Sequence, residues 1–228
     1  VSVGTRLNSG EFKFVFIKGS NPASTLPNQN AVRAGLSRED VFVVVHETHW
    51  TETAKLADVV LPAATYLEKS DLNFSDHHPY TRLSTKAIEP LGECKHEVWV
   101  MQQLAERLSC PESWVFEDPG QALQKATTES FENRGFDDLL KGEALKLRQR
   151  PTNEYQTPSG KIELYSSRAH EISASPLPAQ LPLNENESWF TLLNSSLPNW
   201  THSQFIDVYG PIPEIVWINP ADAGTLGI

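Results

Sequence analysis

The chain has 228 residues, 29 of them acidic and 19 basic, for a net charge of −10. With 39% apolar and 21% charged residues it has the composition of a folded domain, not a disordered one, and its sign is wrong for neutralising phosphates, which argues against nucleic acid as a partner. Two cysteines, Cys94 and Cys110, exclude a disulfide framework and any iron–sulfur cluster held by this chain alone.

Residues Val1 to Phe12 carry no basic stretch leading into an apolar one, so no secretory signal is expected there. Phe12 to Ile17 is aromatic and β-branched, which predicts a strand ending at the turn Gly19-Ser20-Asn21-Pro22. Asn30 to Leu36 reads as a short helix. Val41 to Val45 is apolar throughout, as expected for a parallel strand buried on both faces. At five residues it is the longest apolar run, against about 20 for a membrane span, so no span is expected. Thr51 or Thr53 is placed to cap a short helix through Leu56, and Val59-Val60-Leu61 makes a third strand. Strand and helix alternating over short connections predict a right-handed parallel β-α-β arrangement.

Further along, Glu97 to Leu108 has helical periodicity, with Val98, Met101, Leu104, Ala105 and Leu108 on one face. Asp118-Pro119 opens a helix to about residue 127, and Phe136 to Leu147 predicts another. Thr157 to Gly160 is a turn, followed by an alternating strand from Lys161 to Tyr165. The proline-spaced stretch from Ser175 to Pro182 suits an extended linker. Beyond it, strands are expected at 189–193 and 214–218, and a helix starts at Asn219-Pro220. This divides the chain into residues 1–170, a linker at 171–188, and residues 189–228. Two strands cannot bury their own apolar face, so the last part reads as incomplete.

Ligands of parallel α/β sheets bind beyond the carboxyl ends of the strands. Two polar turns fall there, Gly19-Ser20-Asn21 and His46-Glu47-Thr48. The Glu47 carboxylate has the acceptors to meet the ring and exocyclic nitrogens of a guanine. Neither turn is a G-x-G-x-x-G or Walker loop, so spacing alone favours ordinary strand-to-helix turns. His46 and His49 have no fixed geometry for a metal, and neither cysteine adjoins a nucleophile motif. After Arg168 there is no Lys or Arg, while Glu171, Glu185, Glu187, Asp207, Glu214 and Asp222 remain.

The turn at Gly19 to Pro22, the run Glu39 to Glu47, Thr51-Glu52-Thr53-Ala54, Ala57 to Ala63, Glu68-Lys69 and Gly92 to Glu97 together resemble the third domain of the molybdopterin oxidoreductases, the dimethyl sulfoxide reductase family. The resemblance continues through the Thr157 to Tyr165 segment, His202-Ser203-Gln204 and Asn219 to Ala223, in the family's order. It implies a Rossmann-like parallel-sheet α/β domain followed by the start of a double-psi type β-barrel that binds the pterin dinucleotide. It implies molybdenum (or tungsten) held by two molybdopterin guanine dinucleotides, and two-electron or oxygen-atom transfer on a small-molecule substrate.

Residue by residue, the resemblance assigns Gly19, Ser20 and Asn21 to one guanine dinucleotide. His46 and Glu47 fall where the family reads the guanosine, with Glu in place of the usual Asp, a longer reach for the same carboxylate. Lys69 and Glu97 match positions near that nucleotide, Lys69 for a phosphate or for holding a loop. Asn194, Ser195, Ser196, His202, Ser203 and Gln204 match the segment around a pterin and its pyrophosphate, where amides and hydroxyls would replace bases. The metal ligand and the cysteines of a [4Fe–4S] cluster lie upstream in the family, so catalytic residues are not expected in this segment and turnover is expected only from a longer chain. An iron–sulfur electron-transfer subunit is the partner the family suggests. A non-catalytic subunit of the NADH–quinone oxidoreductase type, or a plain guanine-nucleotide module, would use the same strands.

Overall fold

The structure, a computed structural model, describes residues 3–132, 134–148, 153, 155–178 and 190–228. They gather into two units, one drawn from Val1–Leu61 and Thr191–Ile228, the other from Pro62–Phe190. Residues 179–188 of the expected linker, and Trp189 of an expected strand, lie outside the described residues.

In the first unit, strand β1 (Phe14–Lys18) runs parallel to β2 (Phe42–Glu47), with Phe16 beside Val44 and Lys18 beside His46. The strand β3 (Val59–Pro62) completes a sheet in the order β1-β2-β3. Its entry is fixed at Asp58, whose carboxylate accepts from Val43 N at 2.7 Å and whose own N donates to Val43 O at 2.9 Å. Helix α1 (Val3–Asn8), the single turn α2 (Pro22–Thr25) and α3 (Gln29–Leu36) accompany the sheet. Leu7, Ile17, Val32, Leu36, Val41, Val43, Val45 and Ala54 form one buried cluster, each large side chain contributing about 1.5–3 kcal/mol. The α1–α3 approach depends on Gly35, where a Cβ would lie 2.6 Å from the Leu7 Cβ.

The three strands and α3 match the sequence expectation within two residues. The one-turn α2 was not expected; Pro22 supplies its first position, where the missing N–H costs nothing. His46 is a correction in place: it is a buried residue of β2, not part of the turn after it. The expected helix at 51–56 is a 3-10 turn, Ala54–Leu56, and Thr51 Oγ1 accepts from Ala54 N at 3.1 Å.

The second unit holds an antiparallel sheet of β4 (Asp71–Asn73), β5 (Tyr80–Ser84) and β6 (Leu145–Lys146), in that order. The unit also holds the helices α4 (Glu97–Arg107), α5 (Pro119–Thr127), α6 (Phe136–Leu140) and, farther along the chain, α7 (Ser167–Glu171). Leu72, Phe131, Phe136, Leu139 and Leu145 form its core. The caps at His96 and Asp118 accept from Val98 N and Gln121 N, as the sequence suggests for Asp118.

Three expectations fail here. The helix from Phe136 stops at Leu140: Gly142 turns the chain at φ +85°, and Leu145 returns as a strand. Helix α4 buries Val100, while Met101, Leu104 and Leu108 stay exposed. Residues 161–165 are irregular because side chains close the preceding turn on itself, Thr157 Oγ1 donating to Lys161 O at 2.6 Å and Glu163 accepting from Ser159 N at 3.0 Å.

Residues 190–193 and 214–218, all but Phe190 in the first unit, are likewise not strands; they find no ladder partner among the described residues. Two helices do form there, α8 (Ile206–Tyr209) and α9 (Pro220–Leu226), the latter capped by Asn219, whose Oδ1 accepts from Ala221 N at 2.8 Å. Among the described residues no helix is long and apolar enough to cross a membrane.

Candidate functional site

The turns that follow β1 and β2 are tied to each other at the carboxyl end of the sheet. Gly19, at φ +53°, donates its N–H to His46 O at 3.0 Å. No atom lies within 4 Å of where its Cβ would be, so the backbone angle, not space, calls for glycine.

Asn21 is buried, and its Oδ1 accepts twice from Thr53, from N at 3.2 Å and from Oγ1 at 2.8 Å. Thr53 is fully buried and its Oγ1 in turn accepts from Ala23 N at 3.0 Å. Arg33 adds a further tie, donating from Nε to Ala23 O at 3.1 Å. The sequence points to Asn21 but not to Thr53, whose stretch Thr51-Glu52-Thr53-Ala54 carries the signal of a helix cap.

Glu47 ends β2, half-buried. Its Oε1 accepts from Thr48 N at 2.7 Å and Thr48 Oγ1 at 3.1 Å, which turns the carboxylate back on its own loop. Thr48 Oγ1 lies 2.8 Å from His49 Nδ1, and His49 Nε2 lies 3.4 Å from Asp207 in α8. Ser20 is exposed.

The same unit contains a cleft of about 440 Å³ lined by Asn194, Ser195, Ser196, Leu197, Trp200, His202 and Ile212. It thus brings together four of the residues singled out in the last segment. Ser203 and Gln204 do not line it. His202 and Phe205 are both left-handed, at φ +55° and +66°, a conformation that costs a non-glycine residue about 1–3 kcal/mol. Trp200 donates from Nε1 to Gly210 O at 3.1 Å, holding one wall. The lining offers hydroxyl, amide and imidazole groups and no Lys or Arg.

Lys69 and Glu97 belong to the other unit, and they bind each other. Lys69 Nζ reaches the two carboxylate oxygens of Glu97 at 2.8 and 2.9 Å, with the side chains 17% and 22% exposed. Burial is the largest single influence and pushes the Glu97 carboxyl up, but the Lys69 hydrogen bond, the residue's own backbone N–H and the neighbouring His96 and Lys69 charges together outweigh it and hold the group at about 2. Next to Lys69, buried Glu68 accepts from Thr65 N and Leu91 N, both at 2.7 Å, and these amides hold its carboxyl below the usual range. Glu68 was not among the expected site residues, because a carboxylate serving backbone amides leaves no spacing signal. No cluster of three or more metal-ligating side chains occurs among the described residues.

The sequence model of the molybdopterin oxidoreductase family matches residues 1–107. The probable oxidoreductase YoaE of Bacillus subtilis is 37% identical over 199 residues, covering 84% of this chain and 29% of that protein. The nitrate reductase of Symbiobacterium thermophilum is 40% identical over 99 residues, 43% of this chain and 13% of that enzyme. Acetylene hydratase from Pelobacter acetylenicus superposes with a TM-score of 0.61 at 26% identity, over 78% of this chain and 25% of that one. The chain therefore spans less than a third of the length of these relatives. The motifs in register, the parallel sheet with its tied turns and these likenesses lead to one assignment: the chain belongs to the molybdopterin oxidoreductase family.

Proposed function

We propose that this chain cradles part of a molybdenum or tungsten bis(molybdopterin guanine dinucleotide) within a larger oxidoreductase. The observation that carries the reading is the tie between the two turns at the carboxyl end of β1 and β2, which orders Asn21 beside the Glu47 loop where α/β sheets bind nucleotides. The donor set suits such a group: an amide at Asn21, a carboxylate oxygen at Glu47 for guanine N–H groups, and the hydroxyl and amide lining of the 194–202 cleft for pterin and pyrophosphate. A cleft of this size admits a ring system. When bound, the group supplies two-electron or oxygen-atom transfer chemistry on a small substrate.

This chain's residues bind and orient. Gly19 and Ser20 offer backbone at the first turn, and His46 holds Gly19 through its carbonyl. Lys69 and Glu97 act as a closed pair that fixes the loop before β4 to the start of α4. Ser203 and Gln204 extend the strained segment that presents His202. In this reading residues 1–170 form the α/β domain, 171–188 a linker, and 189–228 the start of a double-psi barrel. A [4Fe–4S] cluster and the metal ligand are supplied by other parts of the protein, and an iron–sulfur subunit is its electron partner.

The test is metal and base analysis of the full-length protein. Molybdenum or tungsten near one per chain, with two guanines released on acid hydrolysis, is expected. A folded protein with neither metal nor guanine overturns the proposal and leaves the electron-transfer subunit reading.

A further inference from the structure

We infer that Thr53 is a positioning residue that fixes which end of the Asn21 amide meets the ligand; the inference rests on the cofactor reading above. A backbone N–H can only donate, so the Asn21 atom 3.2 Å from Thr53 N must be the carbonyl oxygen. The Thr53 hydroxyl is fixed too. It accepts from Ala23 N, so its proton is directed to the same Oδ1 at 2.8 Å. Two donors thus converge on one oxygen, and a flipped amide would set its NH2 against the Thr53 N–H and lose the hydroxyl's hydrogen bond to Oδ1.

The consequence is chemical. Asn21 Nδ2 has no hydrogen-bond partner among the described residues, yet it is not among their buried orphan atoms, so it keeps contact with solvent. The residue therefore offers two N–H donors outward and no acceptor. Whatever it meets must be an acceptor: a phosphate oxygen, or a carbonyl or ring nitrogen of a base. Glu47, with Oε1 committed to Thr48, offers acceptor capacity instead. The paired turns thus present donors from one and an acceptor from the other, and it is Thr53 that sets the sign of the first.

The test uses the full-length protein with three substitutions, reading metal and released guanine per chain, and the thermal midpoint of each variant. Asn21→Asp keeps an oxygen for both Thr53 donors but turns a charged oxygen outward. It is expected to melt like the parent and to carry about tenfold less metal and guanine, or lower still. Thr53→Val removes the hydroxyl and is expected to lower content several-fold, while Thr53→Ser restores it. An Asn21→Asp protein that folds with full content overturns the inference. If that variant fails to fold, full content in Thr53→Val overturns it, and loss in Val with rescue by Ser upholds it. A parent protein with no metal or guanine sinks the cofactor reading and this inference with it, whereas a loaded parent with a loaded Asn21→Asp variant sinks this inference alone.

Discussion

Glu97 begins α4 and closes on Lys69, and its carboxyl sits at about 2 where an unperturbed glutamate sits at 4.5. The folded state therefore binds that proton more weakly than the unfolded chain does. Its contribution to stability is fully present above about pH 4.5 and fades as pH falls toward 2. Glu68, held down by the Thr65 and Leu91 amides, acts in the same direction. Glu97→Gln is expected to lower stability at neutral pH by about 1–3 kcal/mol, because it leaves a mostly buried ammonium without its charge partner. It should also flatten the acid limb of the unfolding curve between those pH values. Urea unfolding followed by circular dichroism from pH 7 to pH 2 checks both; an unchanged acid limb would show that the pair does not matter to the fold.

At the scale of elements, the first sheet was legible because its signal is local. A continuous β-branched run, a turn of Gly, Asn and Pro, and a second turn after it carry strand, stop and site in adjacent residues. The Asn21–Thr53 tie was not legible, since it joins positions 32 apart whose only sequence trace resembles a helix cap. The failed strands at 161–165, 190–193 and 214–218 show the same limit from the other side: alternation proposes a strand, but only a ladder partner makes one. The α1–α3 contact is another long-range fact, and it yields a prediction. In Gly35→Ala the new methyl would meet the Leu7 Cβ at 2.6 Å, the Leu7 carbonyl carbon at 2.7 Å and Asn8 N at 2.9 Å. Backbone atoms cannot rotate away, so α1 must lift. The better helix propensity of Ala returns about 0.5–1 kcal/mol, less than the roughly 1–3 kcal/mol of overpacking. A net loss is expected, read as a lower urea midpoint with an unchanged slope; a more stable variant would mean that α1 does not pack there in solution.

For the molecule as a whole, the contrast is between cores that are closed and a segment that is open. Both units bury continuous apolar clusters, whereas residues 190–218 turn theirs outward, with Leu193 88% and Trp217 92% exposed. Apolar side chains left this open forgo the free energy of burial, and the backbone of the segment lacks ladder partners among the described residues. In the proposed barrel, further protein would pair this backbone and cover these side chains. Trp217 reports on it directly. In the 228-residue chain alone, the emission lost on Trp217→Phe is expected to be that of indole in water and readily quenched by acrylamide. In the full-length protein the same substitution should remove a blue-shifted, poorly quenched component, and the isolated chain should bind a hydrophobic dye that the longer one does not. If Trp217 is already shielded in the isolated chain, the segment covers itself, and the need for a completing barrel disappears.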